Sequence, residues 1–350
     1  MTNRYVRSTD GSDASNGLTW ANAEATLTGA AAADVAGDVI WVSQDHSEST
    51  AAAITFNWSG TLAAPTRIVC GNDAAEPPTA LATTATVTTT GTSAITVIGS
   101  GYTYVYGITF NIASGDTGTA NVNLNSGSGL GVYESCNFHL ATTGSSSRIA
   151  LGGVQTVFKN CGFQFSNSSQ GFNLSSNCII SGGSILADTA INTLIPTLSS
   201  VTNIFLEGCD LSNGAAAMNI VANTSGSVIC KLRNCKMPAS WSGSVNSSTP
   251  GSGSVYELHN SDSADTNYRY QKKTQFGQID SETTIVMTDG ASDGTTPLSH
   301  KMVSNANAEW NHQTLDSPEI VQWNETTGSA ITATIEIVHD SVTNITDQQI

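Results

Sequence analysis

Apolar and polar positions recur along the middle of the chain in units of about 22 to 28 residues. Each unit carries an apolar residue, two polar or small residues, a small central residue, one further residue and a second apolar residue. Four units have cysteine at the centre: Tyr133–Phe138, Phe158–Phe163, Leu206–Leu211 and Leu232–Met237. Weaker units centre on Ile108, Gly183 and Ser261. Self-similarity at this period predicts a solenoid.

The apolar positions form columns when the units are aligned on their central residue. Position −3 holds Val105, Tyr133, Phe158, Ile180, Leu206, Leu232 and Leu258, and position +2 holds Phe110, Phe138, Phe163, Ile185, Leu211 and Met237. We expect both columns and the small central residues to face inward. Each unit has room for about three short strands, which predicts an all-β, right-handed parallel β-helix with rungs about 4.8 Å apart.

Position −2 is polar in most units and is expected to face solvent. It places Glu134 beside Lys159 on neighbouring rungs, and Glu207 beside Arg233. Exposed pairs of this kind contribute about 0.2–1 kcal/mol. A register-setting role therefore fits these charges better than a catalytic one.

The N-terminal segment predicts a cap for the solenoid. Residues 8–17 are polar and glycine-rich, which predicts tight turns rather than a calcium loop, because no bidentate glutamate follows at the required spacing. Apolar residues then recur at helical spacing from Thr19 to about Ala36, with Thr19 as the expected N-cap and Gly37 as the stop. A helix here would cover the open end of the solenoid.

The repeat ends at Ser261, and the remaining residues have a different pattern. Ser329–His339 alternates between apolar and polar residues, which is typical of an antiparallel sheet with one wet face. We therefore predict three parts: residues 1–37 as turn segment and capping helix, 38–261 as parallel β-helix, and 262–350 as an antiparallel β-sandwich.

Composition narrows the possible partners. The 350 residues carry a formal net charge of −16, and only 11% are charged. Nucleic acid and anionic membranes require a basic face, so neither is an expected partner. No apolar run approaches the roughly 20 residues that span a bilayer. The first residues lack the apolar core of a signal peptide, so we expect synthesis in a cytoplasm.

The candidate chemistry is sparse. Seven cysteines without a CxxC motif favour a packing column over a zinc site or disulfides. A glycosidase needs two carboxylates about 5–9 Å apart, but neither Asp188 with Asp210 nor Glu207 with Asp210 is expected to pair. Asp45–Glu48 is expected on a surface turn, and His139, His300, His312 and His339 are expected to be isolated. We predict no catalytic, cofactor-binding or metal residues, and no enzyme.

Two stretches carry a resemblance to a known class. Tyr5–Trp20 followed by Gly37–His46 resembles the entry of pectate-lyase-like β-helix proteins of bacteriophages. Ser317–Gly328 with Ile335–Asp340 resembles the terminal β-domain of phage virion proteins. The resemblance implies a solenoid that is commonly trimeric and lies on the surface of a capsid or tail. It carries over no active-site residue.

The first functional hypothesis is a bacteriophage virion structural protein, most simply a trimeric capsid decoration or cement protein on the particle surface. Its expected partners are further copies of itself and the major capsid protein or other virion proteins, with assembly in the host cytoplasm. The alternative is a tailspike or fibre that binds or cleaves host surface polysaccharide, because acidic residues of different subunits can meet at a subunit cleft.

Overall fold

The computed structural model describes residues 1–99, 101–125, 129–198, 202–222 and 228–247. It also describes the strand residues 255–259, 262–263, 285–289, 300–304 and 337–338. The chain forms two compact units, Met1–Gln275 and Phe276–Ile350. The first unit is a parallel β-solenoid of about seven turns with very little helix, as the repeat predicts. Its right-handed winding stays a prediction.

Three parallel sheets build the solenoid wall. Sheet A has ten strands in the order β1-β2-β5-β8-β11-β14-β17-β21-β23-β25. They are β1 (Asn3–Val6), β2 (Val39–Ser43), β5 (Thr66–Gly71), β8 (Tyr102–Tyr106), β11 (Leu130–Glu134), β14 (Gln155–Lys159), β17 (Asn177–Ser181), β21 (Thr202–Glu207), β23 (Val228–Arg233) and β25 (Val255–His259).

Sheets B and C have six strands each. Sheet B contains β3 (Ser47–Thr50), β6 (Ala85–Thr90), β9 (Ile108–Ser114), β12 (Asn137–Leu140), β15 (Gly162–Phe165) and β18 (Ser184–Ile185). Sheet C contains β4 (Ile54–Trp58), β7 (Ile95–Gly99), β10 (Val122–Leu124), β13 (Arg148–Leu151), β16 (Gly171–Leu174) and β20 (Thr197–Leu198). Two short parallel pairs follow: β19 (Thr193–Ile195) with β22 (Asn219–Val221), and β24 (Lys236–Met237) with β26 (Asp262–Ser263).

A single residue makes the corner between sheet A and sheet B on each regular rung. It is the residue before the central position, and its φ is positive at Gly107, Ser135, Asn160, Gly182, Gly208 and Asn234. Glycine and asparagine adopt this left-handed conformation more readily than other residues. The corner amide still pairs along the axis, as from Asn160 N to the Ser181 carbonyl at 2.8 Å. The Asn and Gly residues that precede the repeat centre therefore set the bend.

The register confirms the predicted inward columns. Val105, Tyr133, Phe158, Ile180, Leu206, Leu232 and Leu258 are successive Cα partners in sheet A. In sheet B, Phe110, Phe138, Phe163 and Ile185 are successive partners as well. Tyr133, Phe138 and Phe158 are fully buried, and their rings stack or meet edge-on at 5.5 to 5.6 Å between centroids. Aromatic contacts of this kind add to the stability that their burial supplies.

The predicted capping helix is present but shorter than expected. It is α1, Leu27–Ala33, and its N-cap is Thr26, whose side chain accepts a hydrogen bond from Gly29 N. Thr19 instead caps a 3-10 helix at Trp20–Asn22. Between them, Glu24 is extended because its amide donates to Tyr5 O and its carbonyl accepts from Arg7 N. This pairing with the edge of sheet A takes priority over helical propensity.

The helix covers the end of the core as predicted. Leu27, Ala30 and Ala31 are buried in the same apolar cluster as Phe56 and Trp58. Across the described residues, no helix is long and apolar enough to cross a membrane.

The second unit has three described strands. They are β27 (Ile285–Asp289), β28 (His300–Ser304) and β29 (Ile337–Val338); β28 is antiparallel to β27 and parallel to β29. Most of the predicted β-sandwich over 262–350 lies outside the described residues, so that prediction stays a prediction. The same is true of His300, His312 and His339 as predicted isolated side chains.

Candidate functional site

A column of apolar side chains runs along the outer side of sheet A. Tyr104, Val132, Val157, Ile179 and Phe205 are Cα partners on five successive rungs. Each lies one residue before the inward column, so its side chain points to the opposite face of the sheet. The first four are half-buried and Phe205 is 37% exposed. We call these five residues the outer apolar column.

Polar and charged positions border the outer apolar column. On one side lie Tyr106, Glu134, Lys159, Ser181, Glu207 and Arg233, which are register partners on successive rungs. On the other side Asn203 donates to Asn177 Oδ1 across a rung at 3.0 Å. Lys231 follows Phe205 in the column itself. The column is therefore an apolar stripe with a mixed-charge border.

The Tyr104 hydroxyl attaches the column to this border. It donates to Glu134 Oε2 at 3.1 Å. Burial, with the neighbouring Glu134 carboxylate, raises the pKa of Tyr104. The predicted register partners Glu134 and Lys159 are adjacent, as are Glu207 and Arg233, but the hydrogen bond of Glu134 goes to the tyrosine on the preceding rung.

The outer faces of the other two sheets are polar. On sheet B, Asn111 donates to Thr88 Oγ1 at 3.4 Å. On sheet C, Asn123 donates to Thr96 Oγ1 at 3.1 Å. A shallow depression of about 340 Å³ lies over sheet C, lined by Thr96, Asn123, Leu124, Ala150, Leu151, Gly152, Asn173 and Ser175. This lining contains no titratable side chain.

Asp188 and Asp210 have different partners. Asp210 pairs with Lys236 at 3.0 Å and accepts hydrogen bonds from Ser212. Burial alone would raise the pKa of Asp210, but the bonds from Ser212 and the Lys236 ammonium lower it. Asp188 accepts a hydrogen bond from Ser166 and lies beside His139. The expectation that His139 is isolated was therefore wrong.

The expectation of a surface turn at Asp45–Glu48 was wrong for two of its residues. His46 is 1% exposed and Glu48 8% exposed. Glu48 Oε2 accepts a hydrogen bond from Leu27 N at 3.0 Å and lies 3.5 Å from His46 Nε2. The cluster lies beneath the capping helix, where Glu48 pairs with the first amide of α1.

All seven cysteines are buried, and none of them forms a disulfide. The four central thiols each donate to the carbonyl of a position −3 residue on the preceding rung, as from Cys161 Sγ to Tyr133 O at 3.3 Å. Burial raises the pKa of Cys178 to about 12. These contacts agree with the predicted packing column. Within the described ranges, no group of three or more His, Cys, Asp or Glu side chains could hold a metal ion.

The sequence contained a signal for the outer apolar column that the repeat analysis missed. Position −4 is Tyr, Val, Val, Ile and Phe at residues 104, 132, 157, 179 and 205. Next to the inward position −3, it makes each strand apolar on both faces, which is typical of a parallel sheet that is covered on both sides. No family model, curated protein or solved structure matches the chain. The candidate site is therefore identified from geometry alone, as an apolar column on the outer face of sheet A that stays partly exposed within the described part of the solenoid.

Proposed function

We propose that the protein is a structural component of a bacteriophage particle, a homotrimeric decoration protein whose subunits pack through the outer apolar column. The observation that carries the proposal is the continuity of this column over five rungs of one sheet. Contiguous apolar surface with a polar border marks an interaction site in soluble proteins.

A second copy of the chain is the occupant that the charges favour. The chain carries 28 acidic and 12 basic residues, so the net charges of two copies repel each other. The border of the outer apolar column instead mixes both signs, with Glu134, Lys159, Glu207 and Arg233 in one register column. Mixed charge allows three copies of this border to converge around a three-fold axis without net repulsion, and closed cyclic symmetry is common among homo-oligomers.

The phage particle enters the proposal through the resemblance of Tyr5–Trp20 and of the tail segments to phage virion proteins. The further partner is then the major capsid protein or another virion protein, and the location is the virion surface after assembly in the host cytoplasm. A closed solenoid suits this role because its backbone polar groups pair along the axis and leave few exposed.

Two measurements test the proposal. Light scattering on tag-free protein should give a mass of three times the 36.2 kDa chain. Gold-labelled antibody against the protein should decorate particle heads in electron micrographs. A stable monomer over a wide concentration range would overturn the trimer, and labelling confined to tails would overturn the capsid location.

The alternative is a tailspike or fibre that binds or cleaves host glycan. The depression over sheet C favours it, since amide and hydroxyl groups such as those of Asn123, Asn173 and Ser175 suit sugar hydroxyls. Incubation with host surface polysaccharide distinguishes the two functions. New reducing ends or unsaturated products would favour the enzyme, and retention of glycan without products would favour the fibre.

A further inference from the structure

Three side chains from three successive rungs converge on the outer surface at the edge of sheet B. His139 lies in β12, Ser166 follows β15, and Asp188 follows β18. His139 Nε2 is 3.2 Å from Ser166 Oγ and 3.5 Å from Asp188 Oδ2. Ser166 Oγ is 2.8 Å from the same Asp188 oxygen. The three atoms therefore form a closed triangle.

The solenoid backbone holds the triangle in place. Ser166 N donates to Leu140 O on the rung below, and Thr189 N donates to Phe165 O. Ser166 N also donates to Gln170 Oε1 at 2.9 Å. These bonds fix the spacing of the rungs and the position of the serine, so the donors are preorganised. The side chains of His139 and Asp188 remain 23% and 31% exposed, which leaves them accessible to solutes.

The triangle does not have the geometry of a hydrolytic triad. A triad needs the carboxylate on Nδ1 of the imidazole and the serine on Nε2. Here both oxygens lie near Nε2, so the carboxylate cannot orient the ring for proton transfer from serine.

We propose that His139, Asp188 and Ser166 form a binding site for a divalent transition-metal ion, with zinc as the expected occupant. Imidazole nitrogen and carboxylate oxygen are common zinc ligands. In tetrahedral coordination, ligands at about 2.0–2.2 Å from zinc lie about 3.4 Å from one another. The His139–Asp188 and His139–Ser166 separations of 3.5 and 3.2 Å are close to that value. The 2.8 Å contact from Ser166 to Asp188 is a hydrogen bond, which lengthens when both oxygens turn to the ion.

The third donor sets the expected strength of the site. A hydroxyl is a weaker zinc ligand than imidazole, carboxylate or thiolate, and water completes the coordination. The site should therefore bind more weakly than structural sites with three or four ligands of those types. The large negative charge of the chain raises the local concentration of cations and supports binding.

The test uses tag-free full-length protein titrated with zinc by calorimetry, and with Cu²⁺ as a spectroscopic probe. We expect one zinc ion per chain, and nitrogen hyperfine coupling in the Cu²⁺ electron paramagnetic resonance spectrum. His139→Asn should abolish the coupling, and Asp188→Asn should weaken zinc binding about tenfold or more. Thermal melts of each variant without metal check that the fold is kept.

His312→Asn is the matched control, because it removes one imidazole elsewhere in the chain. It should leave zinc binding and the Cu²⁺ spectrum unchanged. Equal zinc affinity in wild type and in folded His139→Asn, or no zinc binding at millimolar concentration, would overturn the proposal. Loss of the site upon His312→Asn would also overturn it.

Discussion

The two sides of sheet A carry similar residues and have different surroundings. Phe158 faces inward and is fully buried, and its ring meets those of Tyr133, Phe138 and Phe163. Val157, its neighbour in the same strand, faces outward and is only half-buried. The inner column is covered by the chain itself, whereas the outer column has no cover within the described solenoid. Apolar residues thus indicate that a face of the sheet is covered, and the fold determines whether the same chain or another molecule covers it.

Phe158→Asp should have the largest effect. It places a carboxylate in a stack of aromatic rings with no partner, which destabilises the fold by more than about 4 kcal/mol. Loss of the cooperative thermal transition, or of soluble expression, is the expected result. Phe158→Leu keeps an apolar side chain and is the milder control. An unchanged melting temperature for Phe158→Asp would show that residue 158 does not face the core.

The pair Val157→Asp and Ile179→Asp makes the same chemical change on the outer side. We expect a folded chain whose association is weakened by about 2 kcal/mol or more, because charges replace the centre of an apolar contact. Sedimentation at several concentrations measures this shift, and circular dichroism checks the fold. Thr96→Asp on the outer face of sheet C should leave association unchanged. If the folded double variant associates like wild type, the outer apolar column is not the surface through which the subunits pack.

Cys178 lies inward beside Ile179 and predicts a pH dependence of stability. Its pKa in the folded chain is raised to about 12 by burial, above the value of about 8.5 for an exposed thiol. The contribution of the protonated Cys178 thiol to the free energy of unfolding is complete below about pH 8.5. It is lost as the pH rises towards the folded pKa, by up to about 1.4 kcal/mol per pH unit. Denaturant melts at pH 8 and pH 10 measure the loss. The free energy of unfolding of Cys178→Ala should fall less between the two pH values than that of wild type. An equal fall in both proteins would show that other groups cause the pH dependence.

Glu207→Arg tests the border of the outer column and should have the smallest effect on the isolated chain. It places two guanidinium groups on adjacent rungs, since Arg233 is the register partner of Glu207. Like charges in this position destabilise by about 0.2–1 kcal/mol. Chemical denaturation at low and high salt measures the effect, which should shrink with salt. Ser181→Arg serves as the control, because its guanidinium lies between Lys159 and Glu207, whose opposite charges offset each other.

Much of the solenoid could be predicted from the sequence because a stacked repeat aligns equivalent residues. The columns of Phe158 and Phe163 and the central cysteines follow directly from the period. The corner at Asn160 is also visible as an Asn or Gly before the centre. These features depend only on local spacing and on the similarity of successive rungs.

Other features depend on contacts that spacing does not reveal. Glu48 is buried because α1 lies over it, and nothing near residue 48 indicates that contact. His139, Ser166 and Asp188 are separated by 27 and 22 residues, and they meet only because the corners bring three rungs into one register. The hydropathy of Val157 and Ile179 is as typical of a covered position as that of Phe158, but it does not say whether the covering surface belongs to the same chain.

Every strand pairing described in the solenoid sheets is parallel, and the helix closes only the N-terminal end. The solenoid is therefore directional, because its described strands all run the same way and the described helix lies at one end. Copies related by rotation about an axis along the solenoid would all point the same way, with their caps in one plane. Such an assembly would present the same end of every copy to an underlying surface and the opposite end to solvent, and no further contact would be needed to orient the copies.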